Sequence, residues 1–117
     1  MGADRKWLTE SLRQTLEALA LPGEQALERM PVETVRPDEL ALEFDNYFTA
    51  YRGNFGAELN ASQLRALGRV DELLARMSDR SNSHLWTDEA VTSHERWAEV
   101  RNAARHAIQE MGWVPAA

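Results

Sequence analysis

Apolar residues recur at helical spacing along nearly the whole chain, and no run alternates with the sustained period of two that would demand a sheet. Leu8, Leu12, Leu16 and Leu19 step by four, four and three. On a repeat of 3.6 residues this draws one stripe down one side of a helix. The spacing predicts a first helix over about Asp4 to Leu21, ended by Pro22-Gly23, and a short second one over about Glu24 to Met30, stopped by Pro31. Between Pro31 and Arg36 the chain is expected to be extended, with Val32 and Val35 tucked under neighbouring helices.

Pro37 followed by Asp38 and Glu39 is a helix-start signal, with proline at the first position and acids at the positive end of the dipole. The stripe of this third helix is Leu40, Phe44, Tyr47, Phe48 and Tyr51. Leu42 lies nearly opposite that stripe and Ala41 off to one side, which predicts a helix covered on two faces at the centre of the fold. Gly53-Asn54-Phe55-Gly56 reads as a turn. Asn60 with Gln63 forms a capping-box pattern before a fourth helix, whose Leu67, Val70, Leu74 and Met77 face inward. The polar run Asp79 to His84 reads as a mobile loop. Thr87 caps the last helix, with Trp86 and Val91 placed as a staple across the cap and a break expected near Thr92-Ser93. Its stripe runs through Trp97, Val100, Ala104, Ile108 and Met111. Gly112 occupies the place of a left-handed cap, with Trp113 folding back on Ile108.

With 117 residues there is room for one good core and not for two. The expected fold is therefore an all-α, single-domain bundle of about five helices spanning residues 1–117, with the third helix central. The absence of cysteine excludes disulfides, thiolate metal sites, iron–sulfur clusters and thiol catalysis together. Polar residues interrupt Met1 to Trp7 and every later apolar segment, so neither a signal peptide nor a membrane span is expected, and the expected location is the cytoplasm. Met1-Gly2 is not followed by the Ser or Thr that myristoylation wants at the sixth position, where Lys6 stands.

Nineteen acids against 13 Lys and Arg leave a formal charge of -6. The excess is concentrated between Glu17 and Asp45, where eight acids face only Arg29 and Arg36. Such a field repels phosphate backbones and attracts basic partners. On the third helix Glu39 and Glu43 lie one turn apart on one flank of the stripe, while Asp38 and Asp45 share the other. A solvated amphipathic face accounts for them simply; an acidic and aromatic surface that captures a basic protein patch is the sharper reading.

Catalytic and metal chemistry find little to stand on. His84, His94 and His106 are ten and twelve residues apart and belong to no metal-binding helical pair, and His106 is placed to pair with Glu110. Ser93-His94-Glu95 are consecutive along one segment and cannot converge as a triad, and Arg52 to Gly56 lacks the G-K-[ST] ending of a phosphate loop. Arg65, Arg69, Glu72 and Arg76 form a solvated stripe with internal pairing, a weak footprint for nucleic acid. Trp97 reads as core, whereas Trp7, at the edge of the first stripe, can pack or anchor a partner.

Three stretches carry a family likeness: Asp38-Glu39-Leu40-Ala41-Leu42-Glu43-Phe44-Asp45; Val70-Asp71-Glu72-Leu73-Leu74-Ala75-Arg76-Met77-Ser78; and Leu85-Trp86-Thr87 with Glu95-Arg96-Trp97 and Val100-Arg101. Their order, over about Pro37 to Met111, resembles small helical bacterial proteins that include immunity proteins of contact-dependent inhibition and other polymorphic toxin systems. The resemblance implies a non-enzymatic protein without cofactor or metal that neutralises a cognate toxin domain, a nuclease being the expected kind. The residues expected to bind it are Asp38, Glu39, Glu43, Asp45 and Asn46, with Tyr47 or Tyr51 as aromatic anchors. The alternative is a helical adaptor or regulator of another protein; a small enzyme with an acidic site is a third class.

Overall fold

The computed structural model describes residues 4–30 and 35–113. Among them every regular element is helical: α1 (Arg5–Ala20), α2 (Gly23–Glu28), α3 (Arg36–Phe55), α4 (Ala61–Arg76), α5 (Asp88–Ser93) and α6 (Glu95–Glu110), with 3-10 turns at Gly56–Glu58 and Arg80–Leu85. The all-α class expected from the periodicity holds. Among the described residues there are six α-helices rather than about five, because the segment read as one last helix is two.

Asp4 caps α1 by accepting the Trp7 N–H at 3.2 Å. The stripe Leu8, Leu12, Leu16 and Leu19 is buried throughout, as its spacing requires. At the other end two side chains from α6 reach the carbonyls that a helix leaves without partners. Arg105 Nε donates to the Ala20 carbonyl at 3.0 Å and Arg101 Nε to that of Leu21 at 3.1 Å. Gly23 then opens α2 against α5 with no room for a side chain, since a Cβ there would overlap the Val91 carbonyl and lie 2.6 Å from Thr92 Cα.

α3 buries Leu40, Phe44, Phe48 and Tyr51. Pro37 is its second residue and Val35 its cap. Gly53 does not end it: the helix continues to Phe55, where Arg5 lies 4.5 Å over the Phe55 ring and pairs with Glu58 of the following 3-10 turn. Two further expectations are corrected here. Leu42 is 51% exposed, so α3 is covered on one face only, and Val35 is 60% exposed rather than tucked away. Val32 and Pro31 lie outside the described residues. The central place expected of α3 belongs instead to α1 and α6: α6 packs on α4, α1 and α5, whereas α3 rests mainly on α1.

The Asn60 capping box forms as its sequence pattern predicts, with Oδ1 accepting the Gln63 N–H at 2.8 Å and Gln63 Oε1 accepting the Asn60 N–H at 3.0 Å. Leu67, Val70, Leu74 and Met77 are buried. The stretch read as a mobile loop is a 3-10 turn, capped by Asp79 and fastened by Asn82 Nδ2, which donates to the Arg76 carbonyl at 3.0 Å. Thr87 caps α5. That helix stops where the Thr92 and Ser93 hydroxyls both donate to the Glu89 carbonyl, each at 2.8 Å. The break falls at His94, whose Nδ1 accepts the Arg96 N–H and caps α6. Beyond α6, Gly112 takes a φ of 73°, the Gly112 N–H donates to Gln109 and the Trp113 N–H to Ile108, both at 3.0 Å, completing the Schellman ending. All the buried apolar side chains belong to one core cluster.

Candidate protein-binding groove

α3 leans on α1 and α4 leans on α6, so α3 and α4 meet only sparsely. Between them, closed at one end by the turn that follows α4, lies a groove of about 770 Å³. Its floor is apolar: Ala41 and Leu42 come from α3, Leu74 and Ala75 from α4, and Trp86 from the segment before α5. Four carboxylates rim it, Asp38 and Asp45 on the α3 side, Asp71 on α4 and Asp79 just beyond, with Arg80 as the single cation among the lining residues. Hydrogen bonds from the Ser81 N–H and then the Ser81 hydroxyl hold the Asp79 carboxyl below its usual range. Both bonds favour the ionised form of the carboxyl.

The floor is held by tryptophan contacts. Trp86 Nε1 donates to the Met77 carbonyl at 2.7 Å, and its ring meets the edge of Trp97 with centroids 5.4 Å apart. Trp86 thus ties the turn back onto α4. Trp97, buried as expected, donates in turn to the Leu85 carbonyl at 2.7 Å.

The seven residues expected to bind a partner are not brought to one place. Asp38 and Asp45 line the groove. Glu39 and Glu43 lie on the other flank of α3, where Glu43 and Tyr47 line a smaller cleft of about 250 Å³ with Ser11 and Gln14 of α1. Burial, and then the neighbouring charge of Glu39, push the Glu43 carboxyl above its usual range. Asn46 is exposed but outside the groove. Tyr47 is half-buried and makes an edge contact with Trp7, centroids 5.7 Å apart. Tyr51 is buried between Phe55 and Trp113 and is not a surface anchor. Two carboxylates of the groove, Asp71 and Asp79, stand outside the set that the sequence singles out for binding. The available signal was the spacing Asp71, Leu74, Ala75, Ser78, which places an acid beside small and apolar residues on one side of α4.

The remaining chemistry-bearing groups are accounted for locally. Glu72 pairs with both Arg69 and Arg76, and His106 lies 3.8 Å from Glu110. The rings of His84 and His94 approach to 6.0 Å, but among the described residues no group of three or more His, Cys, Asp or Glu is placed to hold a metal ion. No helix among them is long and apolar enough to cross a membrane. Trp7, 57% exposed, is the one large aromatic among the described residues left mostly in solvent. Comparison with protein-family models, with curated proteins and with solved structures finds no match to this chain.

Proposed function

We propose that this chain is a non-enzymatic binding protein of bacterial toxin–immunity type, acting in the cytoplasm to neutralise a cognate toxin domain by engaging a basic surface of that domain. The groove between α3 and α4 is the observation that supports this reading. Four carboxylates around an apolar floor make a surface suited to a cationic protein. Domains that cleave nucleic acid gather positive charge where they hold phosphates, so a nuclease is the toxin class whose surface best complements it. Complementary charge raises the association rate and rejects like-charged partners, while apolar contacts on the floor slow dissociation. Such a role needs no catalytic group, metal or cofactor. The set proposed to carry binding is Asp38, Asp45, Asp71 and Asp79 with Leu42 and Trp86. Glu39, Glu43 and Asn46 drop to a peripheral place and Tyr51 is removed.

The test is co-purification with the toxin domain encoded beside its gene, scored together with rescue of growth when that domain is expressed. A stable complex and restored growth are the expected results. Growth arrest unchanged by co-expression, with no complex recovered, would reject the reading in favour of an adaptor or regulator of another protein.

A further inference from the structure

We infer that the element received by the α3–α4 groove is an amphipathic basic helix of two to three turns, with its apolar stripe on the floor and Arg or Lys along both flanks. The inference rests on the binding role proposed above and specifies what that role recognises.

The first support is a repeat. Asp38 and Asp45 stand seven positions apart on α3, nearly two full helical turns, so they share one side of the helix and both line the groove. Ala41 and Leu42, the latter one of the three large exposed apolar side chains among the described residues, line it between them in sequence. α3 therefore presents to the groove two carboxylates about 10.5 Å apart along the axis, with apolar side chains beside them. That spacing matches the heptad repeat of a facing helix. An extended peptide shows side chains to one face about every 6.6 Å and would fall out of step with the two carboxylates.

The second support is the charge on both rims. Asp71 and Asp79 stand across the floor from Asp38 and Asp45. Among the described residues none of these four carboxylates has an ion-pair partner, although seven pairs between arginine and a carboxylate form elsewhere on the same surface. The groove thus exposes apolar side chains between edges that carry four carboxylates against one lining cation, Arg80. A helix with an apolar stripe flanked by cations satisfies floor and rims at once. A phosphate-bearing ligand is repelled by the rims, and a purely cationic coil leaves Leu42 and Trp86 in water.

Two dye-labelled fourteen-residue peptides test this on the full chain: one carries leucines at heptad a and d positions with arginines flanking them, the other has the same composition scrambled. Their net charges are identical, so fluorescence anisotropy at near-physiological salt separates pattern from charge. The patterned peptide is expected to bind at least about tenfold tighter and to gain helical circular dichroism on binding. Leu42→Glu, at an exposed position that the fold does not depend on, is expected to reduce its affinity about tenfold or more. Equal binding by the two peptides, binding without gain of helix, no change with Leu42→Glu, or no binding by either peptide would each overturn the inference. Toxin neutralisation that persists under any of those outcomes leaves the proposed function standing. Selective peptide binding by a chain that neutralises no toxin removes that function and leaves the helix inference in place.

Discussion

The indole of Trp86 donates to the Met77 carbonyl at 2.7 Å, joining the segment before α5 to the end of α4 and fixing the floor of the groove. Trp97 makes the equivalent bond to the Leu85 carbonyl from a buried position. Replacing either ring with phenylalanine leaves an acceptor without its donor, and the cost rises with burial. Trp86→Phe is expected to destabilise the fold by about 1 kcal/mol and Trp97→Phe by about 2–3 kcal/mol in urea denaturation. The opposite ranking would mean that these bonds do not hold the floor as described.

Two glycines should respond in opposite directions to the same substitution. At Gly23 a methyl group meets the main chain of Val91 and Thr92, which cannot step aside as a flexible side chain would. Gly23→Ala is expected to cost about 1–3 kcal/mol. Gly68, inside α4, has nothing within 4 Å of the added atom, so Gly68→Ala should add about 0.5–1 kcal/mol of stability through helix propensity alone. Thermal melts of the two variants beside the parent chain decide it.

Glu43 links stability to pH with a definite sign. Its carboxyl is raised from the ordinary value by burial and then by Glu39. The folded chain therefore holds that proton more tightly than the unfolded one. Its contribution is most favourable in acid and declines as pH rises through the interval from the ordinary value to the raised one. Above that interval the ionised side chain is a standing cost. Glu43→Gln is expected to raise the melting temperature near neutral pH and to leave it unchanged at about pH 3, where the Glu43 carboxyl is protonated in the folded and the unfolded chain alike. A lower melting temperature at neutral pH would show that Glu43 makes a favourable contact as an anion.

Local signals carried much of the fold. The leucines of α1, the box formed by Asn60 and Gln63 and the left-handed Gly112 each act within a few residues, where spacing fixes the outcome. What failed was decided at a distance. α3 runs through Gly53 because Arg5, 50 residues upstream of Phe55, packs over that ring and anchors the turn by pairing with Glu58. Tyr51 is removed from the surface by Trp113, which reaches it from beyond α6. The acidic half of the groove on α3 was legible because the charge excess is dense there. Asp71 and Asp79 lie in a stretch whose arginines nearly cancel its acids, and only the folding of α4 and its turn toward α3 shows that Arg65, Arg69 and Arg76 stay outside the groove while Arg80 lines it.

Charge reversal with net charge held equal tests the central claim most directly. Asp38→Lys with Asp71→Lys alters facing rims of the groove, while Glu24→Lys with Glu95→Lys makes the same change in total charge at exposed positions outside it. Affinity for the co-purified toxin domain is to be measured by titration at two salt concentrations. The groove variant is expected to lose at least about a hundredfold in affinity and most of its salt dependence, with the control within a few-fold of the parent. Equal losses in the two variants, or none in the groove variant, would contradict binding through the α3–α4 groove.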